Sequence, residues 1–422
     1  MDLIKLIRET EGVSAFKVVD KAEHRAEAYY VKRKLETVRA IDAEETSVTV
    51  YVEHDDALGD STFPVFASMD EDAIRKALAL AVERAGLVSN KPYDLPKGGV
   101  EMHELPSDLV GQDLRKVASQ VAQAVFEVPM GESGSINALE IFVTRETKRV
   151  RTGEGLDKTQ VTHYIGIEAI PTNTDDKESV ELYEWYDLTD LDLDRIRKEI
   201  ADKMREVKAR KEAVKGKPMT IDVALRPSEI TDLFFELTYE LNYGPVFQHA
   251  NAYNVGDDLQ KDGDGDPINV TLRAEVRGSC MSAAFDGDGA PLRDCQVIKD
   301  GKFVSMWGST RYGAYLGLKP EEITGNLPCF EVGTGALDKP QGDWLECVSL
   351  SGLQLDVDND YIGGEIRLAY LHQGDKVTPI TGISMSGQLS KVLPSIRLSK
   401  DKVVRGAYQG PALAILKNVQ IV

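Results

Sequence analysis

The chain has 422 residues, too many for one compact hydrophobic core, and this length predicts two or three domains. Its residues are 42% hydrophobic and 28% charged, which is typical of a globular protein. No run approaches the ~20 consecutive apolar residues that a membrane span needs, so no membrane association is expected. The net charge of −20 argues against direct nucleic-acid binding, because phosphates are held by Lys and Arg.

The N-terminus and the cysteines predict a cytoplasmic protein. The opening MDLIKLIRETEG has acidic residues and no apolar core, so it does not resemble a signal peptide. The cysteines are far apart and lack CxxC spacing, which indicates reduced thiols rather than disulfides or a metal site. They are Cys280, Cys295, Cys329 and Cys347.

The first half is expected to alternate strands and helices. A short helix is predicted at 2–10, and a helix from the capping box Ser68–Met69–Asp70–Glu71 to Gly86. Two further helices are predicted at 108–126 and 192–214. Strands are predicted at 13–20, 25–42, 45–53, 136–144, 149–153, 162–170 and 179–188, where β-branched and aromatic residues are frequent. The break at Gly216–Lys217–Pro218 is the predicted domain boundary.

The stretch that begins at Arg226 is the most informative part of the second half. Pro227 suits the first turn of a helix, and apolar residues then recur with helical spacing, at Ile230, Leu233, Phe234, Leu237 and Leu241. Asn242 and Gly244–Pro245 are predicted to end this helix. Glu236 and Glu240 fall one turn apart on its flank, as either an active-site remnant or a solvated edge.

Strand and turn signals fill the chain beyond 266–267, including Asp-Gly turns at 286–289 and 299–302. The predicted fold class is therefore α+β. A mixed α/β N-terminal domain (1–216) is followed by a β-rich C-terminal domain (217–422) with one prominent helix.

No motif in the chain specifies a reaction. The acidic turn at 261–266 resembles the start of a calcium loop, but Pro267 and Arg273 replace the glycine and glutamate that such a loop needs. No two histidines have the i, i+4 spacing of a helical zinc site. His249, just after the helix predicted to begin at Pro227, is interpreted as an ordinary loop residue.

Four stretches of the second half form an ordered set of landmarks. They are FDGDGAPLRDCQVIKDGKF (285–303), GSTRYGAYLGLKPEEITGN (308–326), GGEIRLAYLHQGDKVTPITGISMSGQLSKVLPSI (363–396) and GPALAILKNVQIV (410–422). In this order they resemble the TldD and TldE/PmbA proteins, a family once called modulators of DNA gyrase and now regarded as peptidases. The first half fits more loosely, through its strand-rich opening and the helix after 68–72.

The resemblance implies where a metal would be held in a catalytic relative. TldD subunits bind zinc through His-Glu-x-x-x-His on a helix at the place of 230–244 and through a cysteine before a Lys-Asp turn. Carried over without gaps, these places hold Phe235, Glu236, Glu240 and Leu398. A register one turn later gives Tyr239–Glu240 and Gly244, again without histidine. Phe and Leu have no lone pair to offer zinc, so no zinc is expected in this chain.

In lacking the zinc motif, the chain resembles the TldE/PmbA branch of the family, whose members pair with a TldD subunit. The resemblance implies a dimer enclosing a cavity in which small unfolded proteins and peptide precursors are degraded. The chain is expected to be the non-catalytic partner of a zinc-bearing TldD-like subunit. The alternatives are a zinc-independent peptidase that uses Glu236 or Glu240 as general base, and a homodimeric peptide-binding protein.

Overall fold

The structure, a computed structural model, describes residues 2–176 and 178–422. It is 21% helix and 44% strand with a strand-rich second half, which confirms the predicted α+β class. Its helices are α1 Leu3–Glu9, α2 Glu71–Ala85, α3 Leu114–Glu127, α4 Leu193–Glu212, α5 Pro227–Tyr239, α6 Tyr243–Gln248, α7 Thr310–Tyr315 and α8 Leu389–Val392, the last continuing into a 3-10 turn at Leu393–Ser395.

The first half forms one sheet. It runs in the order β3-β2-β1-β5-β6-β4, and β7 and β8 also pair with β6. The pairing is antiparallel except between β4 and β6. The strands are β1 Ala15–Val31, β2 Lys34–His54, β3 Ala57–Val65, β4 Val100–Glu104, β5 Gly134–Thr152, β6 Asp157–Thr174, β7 Ser179–Glu181 and β8 Glu184–Leu188.

One face of this sheet is covered by helices. α1 and α2 pack their buried residues, including Ile7, Ile74 and Leu78, against the end formed by β1, β2 and β3. α3 and α4 cover the parts of β5 and β6 where apolar residues alternate and are buried, such as Leu139, Ile141 and Val143 of β5. The opposite face carries the alternate, more polar side chains, as expected for an antiparallel sheet. Within the described residues, no helix combines the length and apolar character needed to cross a membrane.

Residues 15–54 form one long hairpin, not the separate strands predicted at 13–20, 25–42 and 45–53. β1 and β2 pair along their length, and the turn consists of Lys32 and Arg33 with φ of 46° and 68°. Such two-residue turns need positive φ at both positions and favour Gly, Asn and Asp. The sequence has none of these residues at the turn, so the strand prediction continued through it.

Two helices of the first half begin later than predicted because an aspartate caps each of them. Asp70, rather than Ser68, accepts a hydrogen bond from the Ala73 amide (2.8 Å) and starts α2. Asp113 accepts one from the Arg115 amide (2.9 Å), so α3 begins after it and not at 108. A carboxylate at this position satisfies amides that the helix leaves unpaired.

Two sheets make up most of the second half. One runs β15-β10-β23-β19-β17-β18-β9, with β16 on β17 and β20 on β23, and the other runs β13-β12-β11-β14-β22-β21. Their strands are β9 Val214–Lys215, β10 Met219–Leu225, β11 Val270–Arg273, β12 Cys295–Lys299, β13 Lys302–Phe303, β14 Cys329–Val332, β15 Trp344–Leu350, β16 Gln354–Asp356, β17 Tyr361–Gln373, β18 Lys376–Thr381, β19 Ile383–Gly387, β20 Arg397–Leu398, β21 Lys402–Arg405, β22 Tyr408–Pro411 and β23 Ala414–Ile421.

Buried side chains from both of these sheets and from α5 form one continuous core. The core members all come from residues after 222, whereas the other large clusters come from residues before 208. β9, which precedes the predicted boundary at 216/217, nevertheless pairs with β18 of the second half. The boundary itself stays a prediction.

The turn at 285–289 joins the two halves. Phe285 is buried against Val150 and Leu156 of the first half, and Lys17 Nζ lies 2.5 Å from Asp288 Oδ1. Gly289 has φ of 78°, consistent with the predicted Asp-Gly turn. The first of the recognised sequence landmarks is therefore a docking element between the halves.

Candidate functional site

α5 is held in a fixed orientation by its apolar stripe. Ile230, Leu233, Phe234 and Leu237 are buried as the sequence predicts. Thr238 is also buried, and its carbonyl accepts a hydrogen bond of 2.8 Å from the indole N–H of Trp307. The rest of the helix surface, which carries the motif-equivalent positions, therefore points away from the core.

The end of α5 differs from the prediction. The helix stops at Tyr239, and Asn242 then starts a second short helix, α6, by accepting a hydrogen bond from the Gly244 amide (3.0 Å). Gly244 and Pro245 thus lie in the first turn of α6 and do not terminate α5. The left-handed residue is His249, which ends α6 with φ of 55° and is exposed.

Phe235, which the resemblance aligns with the first histidine, is 46% exposed. It stacks on Tyr239, one turn further along, with ring centroids 6.0 Å apart and an interplanar angle of 20°. Tyr239 is 44% exposed, so the pair forms an aromatic surface on α5.

The two carboxylates on the flank of α5 have different surroundings. Glu236 is exposed. Glu240 is half-buried, and its Oε2 accepts hydrogen bonds from the backbone amides of Ala252 (2.5 Å) and Tyr253 (3.4 Å). Glu240 therefore anchors the segment that follows α6, which is a structural task that the sequence did not predict.

Leu398, which the resemblance aligns with the third ligand, belongs to the core. Its side chain is fully buried, in the same cluster as Leu233 and Phe234 of α5. Its backbone amide donates to Asp266 Oδ2 at 2.7 Å, which ties β20 to the acidic turn at 261–266.

These residues do not fit a zinc ion. Phe235 and Leu398 have no donor atom, and one oxygen of Glu240 is occupied by two backbone amides. The later register offers Tyr239, Glu240 and a glycine that lies inside α6. Among residues 2–176 and 178–422, no group of three or more His, Cys, Asp or Glu side chains is arranged to hold a metal ion.

The cysteines are free thiols, as predicted. Burial raises the pKa of Cys280 to about 12 and that of Cys295 to about 11. Burial also raises the pKa of Cys329 and of Cys347. Because the thiolate is the nucleophilic form, none of them is suited to nucleophilic catalysis at neutral pH.

A buried charge cluster at the start of α5 was not predicted. Arg226, the residue before the helix, donates to Glu206 of α4 (2.5 Å) and to Glu346 of β15 (2.7 Å). Glu346 also lies 3.2 Å from His372, whose ring stacks on Trp344 at 3.8 Å. These residues lie far apart in the sequence and follow no helix or strand period. Their contacts could therefore not be predicted from the sequence.

Comparison with known proteins gives a family for the second half and relatives for the whole fold. Residues 218–422 match the family model described as the PmbA/TldA metallopeptidase C-terminal domain. No curated protein sequence matches the chain.

Solved structures resemble the chain along its length. TldE from Thermococcus kodakarensis has a TM-score of 0.83 at 16% identity, covering 100% of both chains. A proposed modulator of DNA gyrase from Bacteroides thetaiotaomicron has a TM-score of 0.80 at 13% identity, covering 99% of this chain and 97% of its own. A proposed modulator from Thermotoga maritima has a TM-score of 0.76 at 13% identity, covering 100% and 98%. These identities establish a shared fold, and the second half of the chain matches the C-terminal domain of the PmbA/TldA metallopeptidase family.

Proposed function

We propose that this chain is a PmbA/TldE-like subunit of a TldD/TldE-type metallopeptidase assembly. In this role it holds no zinc and completes a chamber whose metal belongs to a TldD-like partner. The assembly degrades small unfolded proteins and trims peptide precursors. The free cysteines support a cytoplasmic location.

One observation carries the proposal. The places at which a catalytic relative would hold its metal contain an exposed aromatic ring, a carboxylate bound to backbone amides and a core leucine. Substituting one of them would not create a site, because the remaining positions would still lack donors in reach of a common point.

The zinc-independent peptidase has less support. A carboxylate acting as general base supplies about 10²–10⁴-fold, and peptide hydrolysis also needs electrostatic stabilisation of the oxyanion. Glu236 is exposed on a helix face, and Glu240 accepts hydrogen bonds from the backbone amides of Ala252 and Tyr253. A homodimeric peptide-binding protein remains the second alternative.

The test is co-purification of the full-length chain from its native cell. We expect it to bring down a protein that carries His-Glu-x-x-x-His, and the complex, but not this chain alone, to cleave unfolded polypeptide. Glu236→Gln in this chain should leave the activity of the complex unchanged. Recovery of only the homodimer, or peptidase activity of this chain alone that Glu236→Gln abolishes, would refute the proposal.

A further inference from the structure

A cavity of about 130 Å³ lies where the two halves of the chain meet. The first half contributes residues that follow β4 and β8 and two neighbouring positions of β6. The second half contributes most of the segment 275–282, which lies between β11 and β12. The cavity is separate from α5 and from the positions that the resemblance aligns with metal ligands.

Two buried side chains on the wall of this cavity lack hydrogen-bond partners. His163 of β6 is 5% exposed, and Thr189, which follows β8, is 8% exposed. Within the described part of the chain, nothing pairs with His163 Nδ1 or with Thr189 Oγ1. A buried polar atom without a partner costs about 1–3 kcal/mol. Both atoms therefore gain from a partner supplied within the cavity.

The serines of the same wall already have partners. Ser279 Oγ donates to the Gly406 carbonyl at 2.6 Å. Ser282 Oγ accepts from the Val276 amide and donates to the Val276 carbonyl, both at 3.0 Å. These bonds hold the segment 275–282 in place without a ligand, so the cavity is preformed.

The wall favours a neutral ligand with an apolar part. Leu105 and Val276 line the cavity and are buried apolar residues. Burial lowers the pKa of His163, which keeps its imidazole neutral. The charged residues that line the cavity, Glu275 and Arg277, are both exposed to solvent. An ion in the buried part would lose its hydration without gaining a buried counter-charge.

The volume limits the size of the ligand. A cavity of about 150 Å³ holds a benzene molecule, so this cavity holds about five to seven non-hydrogen atoms. Because the cavity is so small, one such molecule contacts both His163 and Thr189. A carboxamide carries a donor and an acceptor side by side, so it can satisfy two unpaired atoms at once.

We propose that this cavity binds a small neutral carboxamide, whose amide group pairs with His163 Nδ1 and Thr189 Oγ1 and whose apolar part contacts Leu105 and Val276. Such a ligand contacts both halves of the chain, so its binding stabilises their junction. The site requires neither a metal nor a second subunit, and it does not depend on the proposed function.

Ligand-observed saturation-transfer NMR on the full-length chain tests the proposal with three probes of similar shape. Isobutyramide carries the amide, 3-methyl-2-butanone keeps the carbonyl but lacks the N–H groups, and isobutyrate carries a charge. We expect isobutyramide to bind with a dissociation constant in the millimolar range. It should bind at least about threefold more tightly than the ketone and about tenfold more tightly than isobutyrate.

Thr189→Val keeps the shape of the side chain and removes the unpaired hydroxyl. It should weaken isobutyramide binding about threefold to tenfold. The thermal midpoint of the free variant should be unchanged or higher, because the hydroxyl has no partner to lose. The matched control is Thr144→Val, which changes a buried threonine of β5 outside this cavity and should leave isobutyramide binding unchanged.

The absence of saturable isobutyramide binding in the millimolar range would overturn the proposal and leave a cavity that holds water only. Equal binding of the amide and the ketone or of the amide and isobutyrate, unweakened binding in Thr189→Val, or the same loss in Thr144→Val would overturn it too. A lower midpoint of free Thr189→Val would show that the hydroxyl has a structural partner, which also contradicts it. Co-purification with a zinc-bearing subunit is independent of all these outcomes.

Discussion

Three residues at the positions that the resemblance assigns to metal ligands have other roles in this structure. Phe235 lies on the surface, Glu240 holds a loop and Leu398 fills the core. Each of these side chains has a local task that a metal ligand could not perform at the same time. The three positions therefore respond differently to substitution.

Leu398→Ala should lower the free energy of unfolding by about 2–5 kcal/mol, because it leaves a cavity in a fully buried site. Phe235→Ala should lower it by less than about 1 kcal/mol, since the ring is half-exposed. Urea denaturation of both variants measures the contrast. Equal losses would show that Leu398 is not the core residue described.

Glu240→Ala should cost about 1–3 kcal/mol, because it removes the acceptor for the amides of Ala252 and Tyr253. Hydrogen exchange at these amides should become faster. Glu236→Ala is the matched control, since this carboxylate is exposed and should change neither quantity. Unchanged exchange in Glu240→Ala would argue that the loop is anchored by other contacts.

His163 gives the chain a dependence on pH. Burial lowers its pKa below the ordinary 6.5, the charge of Arg145 lowers it further, and Glu104 opposes the shift. The folded state therefore keeps the ring neutral, while the unfolded state takes up a proton as the pH falls below about 6.5. The stability that the neutral ring contributes is present above 6.5 and is lost towards the lower folded pKa. The drop in unfolding free energy between pH 7.5 and 5.5 should be smaller in His163→Gln, and an identical drop would contradict this assignment.

At the scale of elements, helices and turns were predicted correctly where one local residue pattern was enough to identify them. The apolar stripe of α5 and the Asp-Gly turn at 300–301, with φ of 49° and 78°, are both present. The Lys32–Arg33 turn was missed because it lacks the usual turn residues. The break between α5 and α6 was misplaced because Asn242 caps the next helix and does not merely end the previous one.

The sequence predicted less of the candidate site. Periodicity placed Glu236 and Glu240 on one flank of α5, but the contact of Glu240 with Ala252 depends on how the chain returns after α6. The ion pairs of Arg226 with Glu206 and Glu346 join residues that are 20 and 120 positions apart in the sequence. Such contacts are set by tertiary packing and leave no local signal.

The 285–289 turn should couple the two halves energetically. Phe285→Ala removes the ring buried against Val150 and Leu156 and should cost about 3–5 kcal/mol. Because the contact lies between the halves, we expect the thermal unfolding curve to separate into two transitions. Asp288→Asn, which weakens only the partly exposed pair with Lys17, should keep a single transition. A single transition with unchanged midpoint in Phe285→Ala would contradict this coupling.

At the scale of the molecule, the fold is shared with TldE from Thermococcus kodakarensis, and the second half matches the PmbA/TldA metallopeptidase C-terminal domain. The net charge of −20 is consistent with a protein that does not hold nucleic acid directly. Within this account the chain contributes surface and shape to an assembly, and the metal is supplied by a partner.

Zinc content is the decisive measurement for the proposed absence of a metal site in this chain. The purified full-length chain is incubated with excess zinc, desalted and analysed for metal and protein by mass spectrometry. We expect much less than one zinc per chain, with no change in Glu240→Gln. One tightly held zinc per chain that is lost in Glu240→Gln would contradict it.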